Sequence, residues 1–174
     1  FYVNGKQNVK MEQLTVTNGT GHGLVCRGSG TNVDVTECCF KKCQFTGMGV
    51  NEGATVTATW CDFMENGQYG VACYVNTKVR LNDSTMDHNG GAGLVAVKHA
   101  VVDLHGTKTG SHSNKQFGIC AIIYAKVNIH LPSQHNTTHD NGMEDRVQQS
   151  GGSIANINAD GTFTHAVVEE DDDD

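Results

Sequence analysis

At 174 residues and 37% apolar content, the chain is long enough to bury one domain's core. Its net charge of −7 is concentrated at the C-terminus, where six acidic residues run from Glu169 to Asp174; the rest is near neutral. No basic stripe is visible, which argues against nucleic acid as a partner, and no apolar run has membrane-spanning length.

In chain order, the first signal is a repeat. Segments beginning at Val9, Val33, Val56, Val79, Val102 and Val127 lie over one another at intervals of 23 to 25 residues. Each opens with Val, then an outward-type residue, then an apolar one, as in Val33-Asp34-Val35 and Val79-Arg80-Leu81. Counting that Val as position one, position three holds Met11, Val35, Ala58, Leu81, Leu104 and Ile129. Position six reads Leu14, Cys38, Cys61, Ser84 and Thr107, and position eight Val16, Phe40, Phe63, Met86 and Thr109. A polar turn and a Gly follow (Gly23, Gly47, Gly70, Gly93, Gly118), then a third apolar alternation.

Period-two alternation marks strands with one face inward. Three such strands per unit of about 23 residues predict an all-β, single-stranded right-handed parallel β-helix of about five to six coils. The corner glycines are expected to adopt a backbone conformation closed to other residues. Asn66, Asn89 and Asn114, four residues before successive corner glycines, are expected to form a hydrogen-bonded ladder. The Val102 coil carries two extra residues, assigned to a bulge within 110–113.

The beat weakens after Ile129. The expected organisation is a single domain over 1–168: regular coils over about 8–130, a polar loop over about 131–152, and a capping segment over about 153–168. The acidic tail, 169–174, is expected to be disordered. A chain beginning at Phe1 without Met reads as a fragment or a processed piece.

The seven cysteines are odd in number, and several fall at inward positions. They read as free buried thiols suited to a reducing compartment, cytoplasm or virion. Cys39 and Cys43 leave a C-x3-C metal site open. The sequons at Asn18, Asn82 and Asn136 are expected by chance in a chain rich in Asn and Thr.

With Asn66-Gly67-Gln68-Tyr69-Gly70 and Asn89-Gly90-Gly91-Ala92-Gly93-Leu94, the chain resembles the right-handed parallel β-helix repeat proteins, the superfamily of pectate-lyase-like and NosD-type proteins. The stretch Gly151 to Ile157 resembles β-helix proteins of algae, protists or their large viruses. The resemblance implies the fold and leaves the activity open, because catalytic and non-catalytic members share the repeat. Gly21-His22-Gly23 is similar to one element of the polygalacturonase pattern, but the companion carboxylate motifs are missing.

Position two faces outward and reads Lys10, Asp34, Thr57, Arg80, Asp103, Asn128. In pectate-lyase-like folds this face forms the carbohydrate groove. Arg80, Asp103 and Asp34 are therefore the candidate catalytic groups, Arg80 to neutralise a uronate carboxylate and the acids as proton acceptors. Trp60, Tyr74 and Lys10 are candidate ligand-binding residues, the aromatic rings as sugar platforms. Position four stacks His105 over His130, a candidate metal pair. His135, His139 and Asp140 offer further ligands within the predicted loop. The leading expectation is a non-catalytic binding or structural module for a polysaccharide or a protein partner. The alternative is a lyase or hydrolase acting on acidic polysaccharide. No cofactor is predicted, except calcium if the chain is a lyase. Oligomers are expected to form, if at all, by end-to-end or side packing.

Overall fold

The computed structural model describes residues 1–130 and 138–165. Its strands form three parallel sheets that wind into a β-solenoid of about six turns, with no helix among the described residues. Sheet A holds seven strands, from Tyr2–Asn4 to Arg146–Gln149. Sheet B holds eight, from Val9–Glu12 to Ser153–Ile157 and the closing Phe163–His165. Sheet C holds six, from Thr15–Val16 to Thr138–His139. Each coil contributes one strand to each sheet, and coils stack at roughly 4.8 Å, the inter-strand spacing.

The valine repeat is the register of sheet B. Val9 pairs with Val33, Val33 with Val56, Val56 with Val79, Val79 with Val102, and Val102 with Val127. The next rung is Ile154. Inside run Leu81, Leu104 and Ile129 from sheet B, Phe40, Phe63 and Met86 from sheet C, and Leu24, Met48, Leu94 and Ile119 from sheet A. Period-two alternation makes this possible: each strand turns every second side chain inward.

The asparagine ladder is present and one member longer than expected. Asn66 Nδ2 donates to Asn89 Oδ1 at 3.0 Å, Asn89 Nδ2 to Asn114 Oδ1 at 2.9 Å, and Asn114 Nδ2 to Asn141 Oδ1 at 2.9 Å. Each Oδ1 also accepts the backbone N–H of the residue one coil below, beginning with Cys43. Asn66, Asn89 and Asn114 are buried, and the ladder supplies the partners that burial demands.

Four expectations need correction. The corner glycines do not have positive φ. They are required by close approach: a Cβ on Gly23 would lie 2.6 Å from the Gly47 carbonyl oxygen, and one on Gly70 would lie 2.7 Å from that of Gly93. Left-handed conformations fall instead on non-glycine corner residues, including Gln13, Glu37, Trp60 and Asp83. Second, Thr85 pairs with Gly110 and Met86 with Ser111, so the two extra residues lie between His105 and Thr109 rather than within 110–113. Third, it follows that Thr109, not Thr107, takes position six, where its Oγ1 accepts the N–H of Ser84, and Ser111 takes position eight.

Fourth, the segment expected to be a partial coil with a long polar loop carries two strands. Thr138–His139 extends sheet C and Arg146–Gln149 extends sheet A in register. Here the inward positions turn polar. Arg146 follows Ile119, where it reaches Thr138 Oγ1 and Asn156 Oδ1, and Gln148 follows Ala121. Ser153–Ile157, expected to open a cap, is a further parallel rung of sheet B. Phe163–His165 then folds back antiparallel along it and occupies that edge. His135, Asn136 and the acidic tail lie outside the described residues.

Candidate functional site

The outward face of sheet B carries two parallel ladders, because residues two apart on a strand share a face and pairing aligns them across coils. One runs Lys10, Asp34, Thr57, Arg80, Asp103, Asn128; the other runs Glu12, Thr36, Thr59, Asn82, His105, His130. Mid-face lies a depression of about 260 Å³ lined by Thr55, Val56, Thr57, Lys78, Val79, Arg80 and Asp103. Among the described residues, neither Lys78 nor Arg80 forms an ion pair, so both cations are open to a ligand.

At one end of this depression three groups converge. Asp103 Oδ1 accepts a hydrogen bond from Asn128 Nδ2 at 2.9 Å and lies 3.0 Å from His130 Nε2. The His130 ring stacks on His105, with centroids 4.2 Å apart and planes 7° from parallel. One donor atom from each of Asp103, His105 and His130 falls within 4.8 Å of the others. His105 Nε2 is buried and has no hydrogen-bond partner. Burial lowers the His105 pKa, and the neighbouring His130 and Arg80 lower it further, against the opposing pull of Asp103. A neutral imidazole with a free ring nitrogen beside a carboxylate can accept a proton or ligate a metal.

Of the predicted site residues, the structure brings Arg80, Asp103, His105 and His130 together. Asp34 sits two rungs below Arg80, about 10 Å away along the stack. Lys10 is one rung further, at the N-terminal end of the face. Trp60 stands at the corner after its sheet B strand, 55% exposed, with its backbone in the left-handed region. Tyr74 ends a sheet A strand, so the two rings form no common platform. Tyr69 and Phe117 pack against Ala92, Val95, Cys120 and Val147 in a small cluster on the outside of sheet A.

Lys78 and Thr55 were not among the expected site residues. Their signal was available in the register: both occupy the position just before the repeat valine, on the same face as position two. A second histidine array lies on sheet C, where His112 stacks on His139 at 5.0 Å and His88 pairs with Asp87 at 2.7 Å. His139 and Asp140, expected in a loop, stand at the end of a strand and contact each other at 2.8 Å. All seven cysteines are free; Cys43 is buried below Asn66, while Cys39 is half-exposed on sheet C.

A family model described as the right-handed β-helix region matches residues 1–171. The chain belongs to the right-handed β-helix family. No curated protein and no solved structure matches it. In this β-helix, as in any fold shared by many functions, the activity has to be argued from the site.

Proposed function

We propose that this β-helix is a non-catalytic binding module whose sheet B face takes an acidic saccharide. The observation that carries the reading is the depression itself, where two unpaired cations, Lys78 and Arg80, face a carboxylate, Asp103, and the hydroxyls of Thr55 and Thr57. A uronate or sulfate would be met by the cations, and ring hydroxyls would be met by Asp103 and the threonines. Charge-assisted bonds are the stronger ones, so the acid group fixes orientation. The solenoid holds these side chains on strands, which fixes their spacing before any ligand arrives.

Retention on a panel of acidic and neutral polysaccharides tests this. The intact protein should be retained on an acidic polymer and pass through neutral ones, and Arg80→Ala or Lys78→Ala should weaken retention about tenfold each, the worth of one charge-assisted contact. Equal retention on neutral polymers, or indifference to both substitutions, would sink the reading.

A second reading, a lyase or hydrolase acting on the same polymers, is favoured by one observation: Asp103, His105 and His130 converge beside Arg80. In a lyase, Arg80 would neutralise the uronate carboxylate while a group of the cluster takes the α-proton. Accumulation of unsaturated product or new reducing ends, abolished by Asp103→Asn, would establish turnover and replace the binding reading.

A further inference from the structure

We propose that Asp103, His105 and His130 form a binding site for a first-row transition-metal dication of the zinc type. The inference stands apart from the saccharide reading, although Asp103 serves both.

The geometry is close to what such an ion needs. Donors bound at about 2.0–2.1 Å in a tetrahedral shell lie roughly 3.3 Å from one another. His130 Nε2 and Asp103 Oδ1 are 3.0 Å apart, a hydrogen-bond contact that needs to open by only a few tenths of an ångström once the ring nitrogen gives up its proton and both atoms turn to the ion. The third donor belongs to His105, whose ring is stacked 4.2 Å from that of His130. All three donor atoms fall within 4.8 Å of one another, and binding requires the His105 ring to turn out of its stack on His130 so that the two in-plane lone pairs converge on one ion. His105 Nε2 is also the one buried ring nitrogen left without a partner among the described residues. A buried polar atom without a partner carries a free-energy cost that a ligand removes.

The donor set selects the ion. Two imidazoles and one carboxylate suit zinc, nickel, copper or iron. Calcium and magnesium take oxygen shells, and calcium requires six or more ligands, so they fit poorly. The surroundings resemble those of a built site. Asn128 donates to Asp103 at 2.9 Å and fixes the carboxylate, as a group behind a metal ligand does. All four residues lie on paired strands of sheet B, so the register that aligns the coils also sets the ligand spacing. The fourth coordination position would face outward, toward solvent or a ligand's oxygen.

Titration of the intact chain with Zn²⁺ tests the site. One ion per chain is expected, and the imidazole proton signals of His105 and His130 should shift together in the NMR spectrum of the unsubstituted protein. That readout needs no variant to fold. His105→Asn and His130→Asn should each weaken binding at least tenfold, and Asn128→Ala, which removes only the supporting hydrogen bond, about tenfold. Ca²⁺ in large excess should not displace the zinc. The proposal fails if zinc moves signals of His88, His112 or His139 instead, if it leaves those of His105 and His130 in place, if Ca²⁺ displaces it, or if both histidine variants bind as the parent does.

Discussion

The rings of Phe40 and Phe63 stack inside the solenoid with centroids 5.3 Å apart and planes 6° from parallel. They occupy the same inward place on successive strands of sheet C and are fully buried. Phe63→Ala should remove contacts to the coils on both sides and leave a cavity, at a cost of about 3–5 kcal/mol. Urea unfolding followed by circular dichroism measures it. A loss under about 1 kcal/mol would mean that the coils collapse onto the gap.

Asn89 is a harder residue to replace than its size suggests. It accepts from both the backbone N–H and Nδ2 of Asn66, and it donates to Phe63 O and Asn114 Oδ1. Asn89→Ala strands several buried polar groups at once, and about 1–3 kcal/mol for each of the least compensated ones makes this variant more damaging than a surface Asn→Ala. Hydrogen exchange at the Asn66 amide should accelerate well beyond the change at distant sheet A amides. Unchanged exchange at Asn66 would refute the ladder's structural weight.

Burial pushes the thiol of Cys26 up to about 12 and those of Cys61 and Cys120 up to about 11, from an ordinary value of 9.0. Above that ordinary value the unfolded chain has lost these protons while the folded chain keeps them. Folding stability is therefore fully present below about pH 9 and falls as pH rises through about 11–12. Chemical denaturation across this window should show the decline, and replacing Cys26 and Cys61 by Ala should reduce its slope. Under native conditions, alkylation should reach half-exposed Cys39 first and the buried thiols only after denaturation.

Val75 holds a φ of 50°, and Ile123 one of 53°. Branching at Cβ makes this region especially unfavourable. The Val75 N–H bonds to Val97 O at 3.1 Å, and its carbonyl accepts from Gly53 N at 3.0 Å, so the corner conformation is held by the backbone. Val75→Asn keeps those bonds and relieves the strain, and should raise stability by about 1 kcal/mol. A lower melting temperature would show that the exposed Val75 side chain contributes more than its strain costs.

Arg80 stands one rung from Asp103 and depresses the basicity of His105 through its charge. The same field repels a dication. Arg80→Gln should therefore tighten Zn²⁺ binding several-fold while it weakens retention on acidic polysaccharide. Calorimetry and affinity retention on the same preparation separate the two effects; a variant that loses both would mean that Arg80 is needed to hold the face in shape.

Particular residues show why the sequence was readable in some places and silent in others. The valine ladder was legible because sheet pairing demands the same residue type at a fixed interval, and five intervals of nearly equal length are printed in the chain. The corner glycines were found but their reason was not: a close approach between coils and a left-handed φ both select Gly, and only coordinates separate them. The last full coil is legible only as a partial coil with a long loop, because its inward places hold Thr138, Arg146 and Gln148, which erase the apolar beat. Asn141-Gly142 carried the surviving signal, matching Asn66-Gly67 and Asn89-Gly90. The histidine stack was visible as position four, and Asp103 as position two. Their convergence is hidden from the sequence because it is diagonal: Asp103 reaches His130 on the following coil, a relationship that position-by-position alignment does not display.

The asparagine ladder ends on a charge. Asn141 Nδ2, which by analogy would seek the amide of another coil, instead donates to Asp145 Oδ1 at 2.7 Å, and Asp145 stands where the earlier coils place their corner glycine. Every amide in the line points its donor the same way, so their dipoles add along the axis and the positive end meets this carboxylate, as a helix terminus meets a compensating side chain. Asp145 thus does for the ladder what a capping side chain does for a helix end: one carboxylate satisfies the last amide of the line and faces the positive end of its summed dipoles.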